Sequence, residues 1–216
     1  VKESEFHRLD ELWKRVKGGT VGDDTERVVR GDLDAWQKFA YDIVCNAPGR
    51  GNPLRMMLHG SAGTGKSRTV RTFVATLRER VGKEFAGKIA SARRAGRVDK
   101  VKQLEAIRKD VLANVTLLAA PTGCASFQLK YGASTLHRIF GVPVGFCGRF
   151  ARGSGSNDRF VKFQARMKQS RLFVMDEMSM IGRLMLGKIE FRTQEVFGVK
   201  KLPSGKQAFL GAKDVV

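Results

Sequence analysis

The chain has 216 residues, 42% hydrophobic and 28% charged, which is typical of a globular protein with a well-covered core. No apolar run approaches the ~20 residues that span a bilayer, and the charged N-terminus lacks a signal peptide's apolar core, so we expect neither a membrane nor a secreted protein. The formal net charge of +19 favours a polyanionic partner, first nucleic acid and second an anionic membrane surface, although a merely basic protein is the alternative.

Residues 1–31 are predicted to form a helical segment followed by a connector. Phe6, Leu9, Trp13 and Val16 recur at helical spacing, and the glycines that follow end this pattern. The chain does not begin with Met, so we expect a processed chain or a fragment.

A second helix is predicted over residues 32–44, with Asp32 as its N-cap. Its buried stripe is predicted to consist of four apolar residues, Leu33, Trp36, Ala40 and Ile43. A loop rich in helix breakers follows over 46–53.

The next segment carries the G-x-x-x-x-G-K-[ST] pattern of a phosphate-binding P-loop. The pattern comprises Gly60, Ser61, Ala62, Gly63, Thr64, Gly65, Lys66 and Ser67. An apolar run over 54–58 predicts a short buried strand before it, and helical spacing after it predicts an amphipathic helix. In this setting we expect Lys66 to reach the β- and γ-phosphates of a nucleotide and the Ser67 hydroxyl to ligate Mg²⁺.

A polar, basic segment over about 81–113 is predicted to be a helical insertion. It carries seven cationic side chains, Arg93, Arg94, Arg97, Lys100, Lys102, Arg108 and Lys109. One apolar face is predicted from Val98, Val101, Leu104 and Ile107. Either a solvated helical insertion or an arm that faces nucleic acid, or serves nuclear import, fits this pattern.

Strands alternate with helices through the rest of the chain. Apolar runs over 115–120 and 171–175 predict two strands, a flexible Gly/Ser/Arg loop is predicted over 148–157, and a helix over 160–167 leads into the second strand. This order predicts an α/β fold with a mostly parallel sheet flanked by helices.

Asp176 and Glu177 follow the last predicted strand, at the edge where open α/β sheets bind ligands. An apolar strand that ends in Asp-Glu is the Walker B arrangement. We expect Asp176 to hold the Mg²⁺ shell and Glu177 to orient and deprotonate the attacking water. Lys66 and Glu177 are therefore the predicted catalytic residues.

Three stretches together resemble the Pif-type (petite integration frequency) DNA helicases of the RecD-like branch of helicase superfamily one. They are GSAGTGKS over 60–67, APTGCASFQL over 120–129 with ASTLHRIF over 133–140, and LFVMDEMSMI over 172–181. The resemblance covers about residues 33–181. It implies a RecA-like P-loop NTPase fold for 32–216, as the first of two motor domains.

The resemblance also implies roles for further residues. Gln37 takes the place of the family's adenine-reading glutamine, beside the ATP-binding P-loop. Pro121, Thr122 and Gly123 match the family's stretch that lies along single-stranded DNA, and Thr135 and His137 match the element that follows it. The alternative for His137 is a histidine packed in the core. The alternative for Gln37 is an ordinary glutamine on the helix surface. The family's next element senses the γ-phosphate, and we expect the chain to stop before it, at the third helicase motif, without the second motor domain.

The sequence therefore predicts the first motor domain of an ATP-dependent DNA helicase that acts in repair, recombination or telomere and genome maintenance. Mg²⁺ is its expected cofactor, single-stranded DNA and duplex junctions its partners, and 5′ to 3′ its direction by resemblance. A non-catalytic nucleic-acid-binding remnant, or another P-loop ATPase or kinase, is the alternative. Three scattered cysteines without C-x-x-C spacing favour a reduced intracellular compartment. We expect the nucleus, with the mitochondrion as the alternative.

Overall fold

The computed structural model of the protein describes residues 29–47, 52–145, 157–202 and 204–216. Its α-helices are α1 (Ala35–Cys45), α2 (Lys66–Arg94), α3 (Val98–Asn114), α4 (Gly123–Leu129), α5 (Leu136–Phe140), α6 (Asn157–Gln169) and α7 (Arg183–Phe197). Its strands are β1 (Thr116–Ala120), β2 (Ser134–Thr135), β3 (Leu172–Met175) and β4 (Asp214–Val215), and short 3-10 turns cover Arg30–Asp32, Met178–Met180 and Phe209–Ala212.

The four strands form one parallel sheet in the order β2-β1-β3-β4. β1 and β3 pair along four residues, and both are almost entirely buried. Parallel strands covered on both faces read as continuous apolar runs, which is why the sequence predicted them correctly. The α/β fold with a parallel sheet flanked by helices is confirmed.

The predicted strand over 54–58 is largely wrong. This segment forms a single parallel bridge between Arg55 and Val215, with Met56 N–H donating to the Val215 carbonyl at 3.0 Å and Val215 N–H to the Leu54 carbonyl at 2.9 Å. The described residues of this segment therefore make one bridge to β4 and no continuous ladder. The segment still lies beside the sheet, because Leu54, Met56 and Leu58 pack on the core.

Two hydrophobic cores cover the two faces of the sheet. On one face, α1 and the first half of α2 pack on the sheet through buried side chains that include Val44, Phe73 and Val74. On the other face, α5, α6 and α7 cover it with Phe140, Met167 and Ile189, and Phe140 contacts Phe173 of β3 at a ring-centroid distance of 5.5 Å. The sheet is thus the middle of three layers.

The N-cap predicted for the first described helix was wrong by two residues. Asp34, not Asp32, caps α1: its carboxylate accepts from the Gln37 N–H at 2.8 Å, and the Gln37 side-chain oxygen accepts from the Asp34 N–H at 3.2 Å. Asp32 instead lies in the preceding 3-10 turn, where it accepts from the Val29 N–H. A reciprocal capping box of this kind satisfies two helix-end donors at once.

The buried stripe of α1 also differs from the prediction. Of the four predicted residues, Leu33 and Ala40 are buried and Ile43 is half-buried, whereas Trp36 is 82% exposed and packs edge-on against Phe39. The later helix start does not change which residues share a face, so it does not explain the exposure of Trp36. The error was to assume that a large apolar side chain at this position faces the core.

We expect Asp34→Ala to destabilise the protein by about 1 kcal/mol, because the α1 N-cap and its reciprocal bond are lost together. Asp32→Ala is the matched control, since Asp32 caps only a three-residue turn. Urea unfolding monitored by circular dichroism measures both. An equal loss for the two variants would contradict the assignment of the cap to Asp34.

The basic segment is helical, as predicted, but its first part, residues 81–94, continues the helix that follows the P-loop. α2 runs without a break from the P-loop to Arg94, and α3 returns antiparallel to it. Leu104 packs on the small core at the base of this pair, whereas Val98 and Ile107 are 63% and 47% exposed, so the predicted apolar face is only partly buried.

Three predictions fall outside the described residues. These are the N-terminal helix over 1–17, most of the connector that follows it, and nearly all of the Gly/Ser/Arg loop over 148–157. Among the described helices, none has both the length and the apolar character needed to cross a bilayer.

Candidate nucleotide-binding site

The P-loop connects the segment at Leu58 to the first turn of α2. Gly63 and Gly65 have φ angles of +82° and +77°, in the left-handed region that glycine adopts without strain. The Lys66 ammonium folds back over the loop and donates to the carbonyls of Gly60 at 2.7 Å and Ser61 at 2.9 Å. The eight predicted residues therefore form one loop that opens into a helix N-terminus, and Lys66 spans its mouth.

Two of the loop glycines also lie close to neighbouring side chains, which a Cβ would displace. A Cβ built on Gly60 would lie 2.7 Å from the Thr64 hydroxyl, and one built on Gly65 would clash with the side-chain nitrogen of Gln37. The Thr64 hydroxyl donates to the Ser61 carbonyl at 2.9 Å, which closes the turn. At Gly60 and Gly65 the pattern thus leaves room for neighbouring side chains.

Gln37 lies against the P-loop, as its predicted role requires. Its side-chain nitrogen donates to the Thr64 carbonyl at 3.0 Å, while its oxygen accepts from the Asp34 N–H. Both ends of the amide are therefore held, and α1 is tied to the loop through a single side chain. Whether this amide reads a base is a separate matter that stays a prediction.

Asp34 is a site residue that the sequence analysis missed. It holds the Gln37 amide through the capping box, and its signal was present in the sequence as Asp34 followed by Gln37 three positions later. Asp32 drew the prediction because it precedes the first apolar residue of the pattern.

Asp176 and Glu177 leave the carboxyl end of β3 side by side. The Asp176 N–H donates to the Ala119 carbonyl at 2.9 Å, which extends the β1–β3 ladder by one bond and fixes this half-buried residue. Glu177 has φ +52° and ψ +48°, a left-handed conformation that costs a non-glycine residue about 1 kcal/mol or more. The turn presents the Glu177 carboxylate to solvent at the strand end.

The strand order places the two halves of the site at one edge. Arg55 and Phe173 both align with Val215, so Leu58 and Asp176, three residues further on, lie at the same level. β4 separates the two segments, which puts their axes two strand spacings apart, about 10 Å. The P-loop and the two carboxylates therefore share the carboxyl edge of the sheet.

The residues predicted to hold Mg²⁺ suit that ion. Ser67 is exposed in the first turn of α2, and Asp176 supplies a carboxylate at the same edge. Oxygen donors are the ligands that Mg²⁺ prefers, and such sites in NTPases use one or two protein oxygens together with the phosphates. The donor set therefore fits the ion.

The residues predicted to follow single-stranded DNA gather at the neighbouring strand ends. Thr135 aligns with Ala120, so Pro121 follows β1 beside the end of β2. The hydroxyls of Thr122 and Thr135 accept from the N–H groups of Ala125 and Arg138 and cap α4 and α5. Gly123 is exposed at the start of α4, and His137 is half-buried in α5. Both threonines thus have a structural task as the N-caps of α4 and α5.

Side-chain hydrogen bonds hold the segment before the P-loop, residues 54–58, against the sheet. Arg55 donates to the carbonyls of Phe209 and Lys213, and the Asp214 carboxylate accepts from the Leu54 N–H at 2.7 Å. Burial lowers the pKa of the Arg55 guanidinium. These bonds add to the backbone hydrogen bonds that Leu54 and Met56 make with Val215.

Residues 51–194 match the family model described as AAA domain. The crystal structure of Pif1 helicase from Candida albicans is similar, with 21% identity and a TM-score of 0.53, over 85% of this chain and 31% of that chain. A structure described as the basis for DNA unwinding at forked double-stranded DNA by two coordinating Pif1 helicases has 20% identity and a TM-score of 0.51, over 85% and 32%.

These likenesses show a shared fold, and the chain spans less than a third of the length of either solved protein. No curated protein matches the chain.

Proposed function

This chain belongs to the AAA domain family, and from that membership we propose that it is the first motor domain of an ATP-dependent DNA helicase of the Pif type. The observation that carries the proposal is the shared edge of the sheet. The P-loop, the Asp176–Glu177 pair and the strand ends at Thr122 and Thr135 all open to it. A nucleotide and a nucleic-acid strand bound there would lie on adjacent parts of one surface.

In the proposed mechanism, the P-loop N–H groups and the N-terminus of α2 cradle the phosphates. Lys66 exchanges its bonds to the Gly60 and Ser61 carbonyls for the β- and γ-phosphates. Ser67 and Asp176 would hold Mg²⁺, which neutralises phosphate charge when bound. Glu177 orients the attacking water and accepts its proton.

The single-stranded DNA is proposed to run over the strand ends. Lys and Arg contacts to phosphates would supply most of the affinity without sequence preference, in keeping with the formal charge of +19. Unwinding at duplex junctions, 5′ to 3′ movement and work in genome maintenance in the nucleus belong to the same proposal and rest on the resemblance of the three motifs.

The proposal is tested by nucleotide and oligonucleotide binding to this chain. We expect Mg-ATP to bind and AMP to bind far more weakly, because the P-loop contacts phosphates that AMP lacks. We also expect a labelled oligothymidine to bind with a log–log salt slope of about −0.7 per phosphate neutralised.

Fluorescence titrations at several salt concentrations measure both. Equal affinity for AMP and ATP would remove the nucleotide-site assignment. A flat salt dependence would remove nucleic acid as the partner.

A further inference from the structure

The proposed function does not use the helical hairpin, which is the second half of α2 together with α3 (residues 81–114). Its base is level with the amino end of the sheet. The Arg78 guanidinium donates to the Thr116 hydroxyl, at the first residue of β1, and Glu84 pairs with Arg171, the residue before β3, at 2.7 Å. The candidate nucleotide site lies at the opposite, carboxyl edge. The hairpin therefore extends away from that site.

The length of the projection follows from helix geometry. Ten residues separate Glu84, which is level with the amino edge, from Arg94 at the end of α2. At 1.5 Å per residue the tip stands ~15 Å beyond the sheet. A nucleic-acid strand that runs over the carboxyl edge does not reach it, so the hairpin tip is not part of the proposed single-strand track.

The hairpin is built as a rigid arm. Val81 and Phe85 of α2 pack against Leu104, Val111 and Leu112 of α3. Near the tip, Arg93 of α2 pairs with Glu105 of α3 at 2.6 Å.

The turn and the base are fixed as well. Gly96, with φ +66°, allows the chain to reverse while the Gly96 and Arg97 N–H groups bond back to the end of α2. At the base, the Arg171 guanidinium lowers the pKa of Glu84, so that anchor is ionised at neutral pH. A preformed arm binds a partner with little ordering cost.

The tip carries charge without partners. Between residues 93 and 102 there are five cationic side chains and one carboxylate, that of Asp99. Arg94, Arg97, Lys100 and Lys102 are exposed, and their side chains make no hydrogen bond or ion pair with any described residue. Unpaired cations that project from a rigid arm complement a dense array of negative charge.

We propose that the hairpin tip binds the phosphate backbone of duplex DNA, as a second nucleic-acid contact at the end of the molecule opposite the nucleotide site. A duplex is favoured over a single strand by composition. Residues 86–114 contain no Phe, Tyr or Trp, and proteins that hold single strands stack unpaired bases on such rings. A duplex has its bases stacked already and presents one charge per ~1.7 Å of axis.

The experiment compares two variants of this chain that lose the same charge. Arg94→Gln/Arg97→Gln/Lys100→Gln removes three of the four unpaired positive charges at the tip and leaves the Arg93–Glu105 pair in place. Lys200→Gln/Lys201→Gln/Lys206→Gln is the control, from exposed lysines of the loop after α7. Glutamine keeps a good helix propensity, and matching circular dichroism spectra and melting temperatures confirm that both variants fold.

Anisotropy titrations without nucleotide are run with a blunt duplex and with oligothymidine, each at several salt concentrations. For the tip variant we expect the log–log salt slope on the duplex to weaken by about 0.9 per lost phosphate contact, up to about 2.7. The oligothymidine slope and the control variant's slopes stay at the wild-type values.

An unchanged duplex slope in the tip variant overturns the proposal. So does an equal loss on oligothymidine, or an equal loss in the control variant, since either would reduce the effect to overall charge. Because ATP is absent, these outcomes leave the motor assignment untouched.

Discussion

Lys66→Ala is expected to weaken Mg-ATP binding by about 10- to 150-fold, the loss of one charge-assisted hydrogen bond worth about 1.5–3 kcal/mol. In the absence of nucleotide the Lys66 ammonium bonds only to two loop carbonyls, Gly60 and Ser61, which water can serve equally well. The substitution therefore removes phosphate contacts without removing core packing. Isothermal titration calorimetry gives the affinity, and a melting curve without nucleotide checks the fold.

Lys83→Ala is the matched control for this change. Lys83 lies on the same helix, α2, and its ammonium pairs with Glu79 at 2.9 Å on an exposed face. Both variants lose one positive charge from α2, but only Lys66 reaches the loop. Equal affinities for ATP in wild type and Lys66→Ala would remove the phosphate site from the P-loop.

The two carboxylates after β3 are expected to fail in different ways. Glu177→Gln removes the proposed base and its hold on water, so ATP hydrolysis falls by about 10²- to 10⁴-fold while Mg-ATP binding is unchanged. Asp176→Asn removes a proposed Mg²⁺ ligand, so nucleotide binding loses its dependence on Mg²⁺. Nucleotide titrations with and without Mg²⁺ and single-turnover hydrolysis, in the full-length helicase that the proposal implies, measure these effects.

The neighbouring Ser179→Ala serves as control, since Ser179 is exposed in the 3-10 turn that follows and has no proposed role. The same defect in both carboxylate variants would refute the division of roles between them. In Ser179→Ala, ATP hydrolysis and Mg-ATP binding are expected to stay at the wild-type values. The turn keeps its shape because backbone bonds hold it, such as that from the Met180 N–H to the Glu177 carbonyl.

The parts of the fold that sequence predicted well depend on local physics. The P-loop requires glycine at fixed spacing, as Gly63 and Gly65 show by their positive φ angles, so its letters carry its conformation. β1 and β3 are buried on both faces and read as short apolar runs. The helix after Lys66 has its apolar residues at a 3.6-residue period.

The errors concern features that depend on distant residues. Periodicity placed Trp36 inside, but within the described part of the chain it is 82% exposed. Val98 and Ile107 fit the apolar period of α3 but are exposed, because the contact with α2 uses Leu104, Val111 and Leu112. The segment over 54–58 pairs with Val215, a residue 160 positions away, which local sequence does not reveal. The roles of individual site residues stay predictions, since the fold positions them without a ligand.

The pairing of Arg55 with Val215 also has a consequence for how the molecule folds. The P-loop segment meets the sheet only through β4 among the described strands, and Arg55 and Val215 are 160 residues apart in the chain. Contacts between residues so far apart in sequence form slowly, because the entropy of closing the loop is lost before the contacts stabilise it. The phosphate cradle is thus assembled among the last elements, and nucleotide binding becomes a signal that the whole domain, from α1 to β4, has reached its native topology.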